Sequence, residues 1–150
     1  MKFSEISEAQ WQQWKPYLDT CVIPVTGLTG ALTPYQVTQC LEQLRDWLEH
    51  VEIPFHGRIV TYPAYHFVGH PSDISVAHGE WTKLDRLAAE LKAAGFRYVI
   101  GMSAQVDLPH EKLSNCDLVL TPFATRDIES ENSRQRISEL VQTMWSSSQY

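Results

Sequence analysis

The sequence lacks a long hydrophobic run, a cluster of basic residues and a signal-peptide core. No segment approaches the roughly 20 apolar residues that a helix needs to span a bilayer, and the start, MKFSEISEAQ, carries two carboxylates instead of an apolar stretch. Twelve Lys and Arg against eighteen Asp and Glu give a formal net charge of −6. Because phosphate backbones and anionic lipids are bound by clustered positive charge, we expect no nucleic-acid partner and no membrane insertion.

Cysteine is also scarce. The three cysteines, at positions 21, 40 and 116, are an odd number and form no CxxC pair. Cys21 falls in a predicted strand and Cys40 on a predicted helix face, where packed, reduced thiols are usual. The 150 residues are 43% apolar and 20% charged, as in an ordinary globular domain. The expectation is one soluble, cytoplasmic domain over residues 1–150.

What the sequence does contain is an alternation of short apolar runs with helical segments. The runs are Cys21–Val25, Arg58–Tyr62, Tyr98–Met102 and Asp117–Thr121. Continuous apolar strands joined by helical crossovers predict an α/β fold of three layers, a doubly wound, mainly parallel four-stranded sheet with helices on both faces. Right-handed crossovers favour a flavodoxin-like order with the first strand central. Since the last connection is short, an antiparallel edge strand is the alternative.

Helical spacing predicts four helices. They are Ser4–Lys15, a helix capped by Thr33 and begun by Pro34, about Glu80–Ala94, and Ser130–Trp145. The second is the clearest, because Thr33 and Gln36 form a capping-box pattern ahead of an apolar stripe. The stripe consists of Val37, Cys40, Leu41, Leu44, Leu48 and Val51. Gly95 is placed to end the third helix in a left-handed conformation, with Phe96 supplying the accompanying apolar contact.

Two features do not fit these helices. Trp47 lies beside the apolar stripe, so an exposed indole there would suit a partner or a homo-dimer contact. The stretch Pro63–Glu80 has no helical period and predicts an ordered excursion or lid.

Ligands of doubly wound sheets bind beyond the carboxyl ends of the strands. Those ends carry hydroxyls, phenols, an imidazole and a carboxamide, which suit a polar ligand. We expect the ligand-binding residues to be Thr26, Gly27, Thr29, Tyr62, Tyr65, His66, Ser103 and Gln105. The aromatic residues among them, with Phe67, are explained by packing under the loop after the second strand; a stacking wall for a planar ligand is the sharper alternative.

No recognised catalytic or metal motif accompanies these residues. The loop Thr26–Gly30 precedes a helix start, which is the position of a phosphate-binding loop. It is not followed by the lysine of a P-loop, and it lacks the third glycine of a dinucleotide-binding fingerprint. Ser103 stands in IGMSAQ and not in a GxSxG elbow. His66, His70 and His78 lie near Asp73, yet Gly69 and Pro71 argue against the helix that HxxxH needs to bind metal. Catalytic residues and cofactors therefore stay unknown, and no metal site is expected.

Three stretches together resemble a known family. They are DTCVIPVTG (19–27), GRIVTYPAYHF (57–67), and EWTKLDRLAAELKAAGFRYVIGMS (80–103) with DLVLTPF (117–123). In this order they resemble the YpiF-like proteins, small uncharacterised proteins of Bacillus-type bacteria. The resemblance implies a bacterial cytoplasmic protein and carries over no catalytic residue or cofactor.

Three functions are possible for such a domain. The leading hypothesis is a non-catalytic accessory or regulatory protein that binds a small ligand or a protein partner. The alternative is a small hydrolase or transferase acting on a phosphorylated or nucleotide substrate, with the Thr26–Gly30 loop holding the anion and His66 as acid or base. That alternative requires His66 to reach the hydroxyl of Ser103 or Thr26. A structural homo-oligomer is the third hypothesis.

Overall fold

The apolar runs form one parallel sheet. The computed structural model describes residues 1–68, 74–122 and 130–147, with the backbone alone for 74–78 and 130–132. Its strands are β1 (Thr20–Val25), β2 (Ile59–Thr61), β3 (Tyr98–Ser103) and β4 (Leu118–Leu120). Their order is β2–β1–β3–β4, and every neighbouring pair is parallel. The predicted α/β fold with a flavodoxin-like order and a central first strand is confirmed.

The antiparallel alternative for the edge strand is wrong, because β4 runs parallel to β3 with Ile100 opposite Leu118. The link 104–117 is long enough to cross back over one face of the sheet. Its side chains Val106, Leu108 and Leu113 are buried against that face, and a 3-10 turn, His110–Lys112, shortens the path. Burial of these apolar groups favours the crossover over a hairpin.

Helices cover both faces of the sheet. They are α1 (Glu8–Trp14), α2 (Pro34–Glu52), α3 (Ile74–Ala93) and α4 (Ser130–Ser147). One core cluster lies between the sheet and α2 with α4, and the other lies between the sheet and α3, with α1 at its margin. Among the described residues, no helix has the length and apolar character needed to span a membrane.

The N-terminal segment folds as two pieces instead of the single helix Ser4–Lys15. A 3-10 turn covers Phe3–Glu5, and α1 starts afresh because Ser7 caps it. Ser7 Oγ accepts from the Gln10 N–H (3.2 Å), and Gln10 Oε1 accepts from the Ser7 N–H (3.0 Å). Before the turn, Lys2 bridges to Thr61, whose N–H donates to the Met1 carbonyl (2.8 Å). The first residues thus lie along the outer edge of β2.

Helix α3 starts earlier than its sequence pattern predicts. It is helical from Ile74, so the predicted excursion Pro63–Glu80 is wrong over its last part. Its far end matches the prediction: Gly95 has φ +123°, and its N–H donates to Lys92 O (3.1 Å). The Phe96 N–H donates to Leu91 O (3.2 Å), which completes a Schellman motif and buries Phe96.

The prediction of an exposed indole at Trp47 is wrong. Only 8% of Trp47 is exposed, and its indole N–H donates to Leu120 O over 3.0 Å. Trp47 belongs to the core cluster that α2 forms with α4, whereas Leu41 of the predicted stripe is 40% exposed. Trp47 therefore offers no exposed surface for a homo-dimer contact.

Candidate functional site

The chain after β2 continues alongside β1 at the carboxyl edge of the sheet. The Tyr65 N–H donates to Pro24 O (2.8 Å), the Thr26 N–H to Tyr65 O (3.0 Å), and the Leu28 N–H to His66 O (2.7 Å). These parallel-sheet contacts extend the β1–β2 pairing beyond the strands. They fix Ala64–Phe67 against the loop that follows β1.

A side-chain hydrogen bond joins the same two segments. Thr26 Oγ1 lies 2.9 Å from His66 Nδ1. Thr26 is 1% exposed, whereas His66 is exposed. Whichever of the two atoms donates, the bond uses Nδ1 and leaves Nε2 without a partner among the described residues. Nε2 is therefore able to hydrogen-bond a ligand, as donor in one tautomer and as acceptor in the other.

A groove of about 420 Å³ opens beside this imidazole, which we call the edge groove. It is lined by Ala64, Tyr65, His66, Phe67, Glu80 and Lys83. Phe67 is 71% exposed, and Tyr65 is half-buried on the same groove wall. The groove is open to solvent, and its lining combines the rings of Tyr65 and Phe67 with the ionisable groups of His66, Glu80 and Lys83.

Tyr62 is separated from the edge groove. Its ring packs edge-on against Phe96, with centroids 5.4 Å apart and planes at 90°, and 6.5 Å from the ring of Phe3. Burial raises the pKa of the Tyr62 phenol. The predicted set is thus divided, since Tyr65 and His66 share the groove while Tyr62 lines a different cavity.

Ser103 and Gln105 also lie away from the groove lining. Ser103 is fully buried, and its Oγ accepts the N–H groups of Gln105 (3.3 Å) and Val106 (3.0 Å). The side-chain amide of Gln105 donates to Gln43 of α2. Ser103 therefore shapes the turn after β3, and its hydroxyl does not reach His66 in any described contact.

The loop with Gly27 and Thr29 is a tight connection, and several of its backbone N–H groups already have hydrogen-bond partners. Gly27 has φ +82°, and a Cβ there would overlap Val106 Cγ2. The N–H groups of Thr26 and Leu28 are committed to the neighbouring segment, and the Leu32 N–H donates to Thr29 O (3.4 Å). An anion cradle needs such N–H groups free and room above the glycine, so this geometry weakens the cradle interpretation.

Thiols and metal ligands add no further chemistry here. Burial raises the pKa of the Cys21 thiol and raises that of Cys116 to about 12, so both stay protonated at neutral pH. Within residues 1–68, 74–122 and 130–147, no three His, Cys, Asp or Glu side chains converge as metal ligands. His70, Asp73 and the side chain of His78 lie outside the described residues, so the absence of a metal site stays a prediction.

Sequence reasoning missed Glu80 and Lys83, the two groove residues contributed by α3. They are three positions apart, so they share one helix face. That spacing was the available signal, since both residues lie in the helix predicted over about Glu80–Ala94. Their charges change the chemistry of the site, because they add an ammonium and a carboxylate to a set that was otherwise neutral apart from His66.

Comparison with known proteins places the chain in a family. Residues 9–146 match the family model described as Protein of unknown function (DUF2487). No curated protein and no solved structure matches the chain. The match covers nearly all of the sheet and its helices, from the second residue of α1 to the last turn of α4. The chain therefore belongs to the DUF2487 family of proteins of unknown function.

Proposed function

We propose that this chain is a non-catalytic accessory or regulatory protein that binds a small, planar, polar molecule in the edge groove. The observation that carries the proposal is the 2.9 Å contact between Thr26 and His66. It fixes an exposed imidazole on the groove wall at the sheet edge where doubly wound folds bind ligands.

The groove lining defines the ligand class. Tyr65 and Phe67 offer ring surfaces for a planar group, and His66 Nε2 offers one hydrogen bond. Lys83 and Glu80 add one group of each charge, which favours a ligand with both a hydrogen-bond acceptor and a donor over a simple anion.

The burial of the Thr26 and Ser103 hydroxyls supports a binding role over catalysis. Thr26 is 1% exposed and Ser103 is fully buried, so neither oxygen is placed to attack a bound substrate. Nucleophilic catalysis needs the nucleophile and its base to face the substrate together. Of Thr26, Ser103 and His66, only His66 lines the groove, where it positions a ligand.

The test is a thermal-shift screen against nucleotides, aromatic acids, phosphorylated metabolites and divalent metals, followed by NMR titration of any hit. A ligand at 100 times its Kd stabilises the folded protein by about 2.7 kcal/mol. His66→Ala should remove this shift, while His56→Ala, an exposed histidine in the turn before β2, should retain it. A screen without a hit, or a hit bound equally by both variants, contradicts the proposal.

One observation favours the hydrolase or transferase alternative: the imidazole of His66 does reach the hydroxyl of Thr26. Thr26→Val should then abolish turnover of a phosphorylated or nucleotide substrate without affecting its binding. Under the binding proposal, wild-type protein and Thr26→Val both show no turnover above buffer. Turnover by the wild type that the Val substitution removes would replace the binding proposal by the enzymatic one.

We place this function in the cytoplasm, on the support of three free cysteines of which Cys21 and Cys116 are buried thiols. The narrower resemblance to YpiF-like proteins, and with it a bacterial source, stays a prediction. A homo-dimer also stays a prediction, now without the Trp47 surface, and light scattering at high concentration tests it.

A further inference from the structure

A second cavity, of about 240 Å³, lies at the corner where the N-terminal segment meets β2 and the start of β3, and we call it the aromatic cavity. Its lining includes the rings of Phe3, Trp11, Tyr62 and Phe96, together with Ser7 and Glu8. None of these residues lines the edge groove. The cavity is therefore a separate site, and a ligand bound there would be independent of the proposed function.

The four rings are arranged around the cavity and not in a stack. The ring planes of Tyr62 and Phe96 are at 90°, those of Trp11 and Phe96 at 43°, and those of Phe3 and Tyr62 at 54°. Neighbouring centroids are 5.4–6.5 Å apart. Since cation–π attraction acts within about 6 Å of a ring centroid, centroids this close together allow one cation to lie within range of more than one ring.

The charges at the cavity select a cation. Among the described residues that line it, Glu8 is the only ionisable group besides the Tyr62 phenol, and it carries the negative charge. Its carboxylate also offsets the positive end of the short helix α1, at whose first residue it stands. The formal net charge of −6 further raises the local concentration of cations around the whole molecule.

The same lining disfavours a primary ammonium. Lys and other hydrated ammonium groups need several acceptors to replace water, whereas six of the eight described residues that line this cavity are aromatic or aliphatic. A quaternary ammonium group has no N–H donors to satisfy, and aromatic cages are the usual way that proteins recognise it. The Ser7 hydroxyl at the cavity can bond a hydroxyl on a short substituent of the ligand.

We infer that the aromatic cavity binds a small quaternary ammonium compound of the choline type. The rings of Trp11, Tyr62 and Phe96 surround the charged head group, Phe3 covers it from the N-terminal side, and Glu8 supplies the opposite charge.

Calorimetric and NMR titrations with choline test the inference, with the uncharged isostere 3,3-dimethyl-1-butanol as the matched ligand. Choline should bind saturably and shift the indole signal of Trp11. It should bind about tenfold more tightly than the alcohol, since cation–π attraction is lost in the alcohol. Equal affinity for the two compounds, or no saturable choline binding, overturns the inference.

Two pairs of variants locate the site. Trp11→Leu should lose choline binding, while Trp14→Leu, on the same helix but lining a different cavity with Leu18, should keep it. Glu8→Gln should weaken choline binding several-fold and leave the alcohol unaffected, and Glu42→Gln on the exposed face of α2 is its control. Equal effects of the two tryptophan variants on choline binding contradict the assignment. If both tryptophan variants unfold, the comparison of Glu8→Gln with Glu42→Gln decides.

Two further titrations distinguish the aromatic cavity from the edge groove and from a site for a modified peptide. His66→Ala should leave choline binding unchanged, so failure of the edge groove and failure of the aromatic cavity are distinguishable. A peptide carrying trimethyllysine should bind more weakly than choline. Tighter binding of the peptide would overturn the small-molecule assignment in favour of a modified protein partner.

Discussion

At the amino ends of the strands, the side chain of Arg58 is held by two partners, whereas at the carboxyl ends that of His66 is held by one. The Arg58 guanidinium makes two bonds to the carboxylate of Asp19 (2.9 and 3.1 Å) and stacks 3.9 Å from the ring of Trp145. Trp145 in turn donates to Thr20 Oγ1 over 2.9 Å.

At the opposite edge, the imidazole of His66 has a single bond to Thr26, and Phe67 beside it is 71% exposed. The polar groups of the amino edge satisfy one another and so contribute to stability. At the carboxyl edge, His66 Nε2 has no partner among the described residues and so is available to a ligand. Under the binding proposal, the functional edge is the one whose side chain leaves an atom unbonded, and substitutions at the two edges test this contrast.

The largest effect on stability is expected at Gly27, in the loop that follows β1 at the carboxyl edge. Gly27→Ala has to adopt φ +82° and overlaps Val106, so we expect a loss of about 2–5 kcal/mol in the free energy of unfolding. Gly30→Ala, with no atom within 4 Å of the added Cβ, is the control and should change it by less than ~0.5 kcal/mol. Urea unfolding measures the free energy of unfolding of both variants. Equal losses would show that the loop changes its conformation to accommodate the Cβ at position 27.

The next effect distinguishes the two edges directly. Arg58→Met should lower the free energy of unfolding by about 1–2 kcal/mol, because the ion pair is partly exposed and the stacking on Trp145 adds a similar amount. It should leave ligand binding at the edge groove unchanged.

His66→Ala should do the reverse, with loss of binding and a stability change of at most ~1 kcal/mol. Chemical denaturation and ligand titration on both variants check the pair. If Arg58→Met weakens binding as much as His66→Ala does, the two edges are not independent.

A pH-dependent effect is expected at His50, near the end of α2. Burial, followed by the positive charge of Arg134, lowers the pKa of His50 below its ordinary value of 6.5, although Glu49 acts in the opposite direction. Its Nδ1 is buried and has no hydrogen-bond partner among the described residues. Because the unfolded chain takes up the proton more readily, the stabilisation is present above pH 6.5 and is lost as the pH falls below that value.

The measurement is the Tm between about pH 8 and pH 5, a range that spans histidine titration, for the wild type and for His50→Leu. The wild type should lose more stability on acidification than the variant does. Parallel curves would show that His50 is equally easy to protonate in the folded and unfolded chains.

The smallest effect concerns the thiols. Iodoacetamide under native conditions should modify Cys40, which is half-buried, well before Cys21 and Cys116. Both of the latter are buried and have raised pKa values, so their reactive thiolates are rare. Mass spectrometry of the native and urea-unfolded protein counts the labels. Rapid labelling of Cys21 would mean that β1 opens.

The fold was predictable where local chemistry and burial agree. The apolar run at Cys21–Val25 forms a strand that is buried throughout, and Thr33 and Gly95 bound their helices as predicted. Trp47 was not predictable, because its burial depends on where α4 packs and no pattern within α2 encodes that. The helix start at Ser7 is marked by a local capping box, but the apolar spacing continues through Ser7 and predicts a single helix.

The candidate site was predictable only in part. The rule that places ligands at the carboxyl edge identified Thr26, Tyr65 and His66 correctly as neighbours. The same rule could not say that Tyr62 turns towards Phe96, or that Ser103 turns inward, because the direction of a side chain after a strand is set by the turn that follows.

The N-terminal residues along β2 have a consequence for assembly. Met1 and Lys2 occupy the main-chain groups through which another chain would add a strand at this edge of the sheet. Their release would withdraw Phe3 from the aromatic cavity and expose the strand edge in one step. A ligand in that cavity would therefore protect the protein against strand-to-strand aggregation, and hydrogen exchange at the Thr61 N–H would report both events.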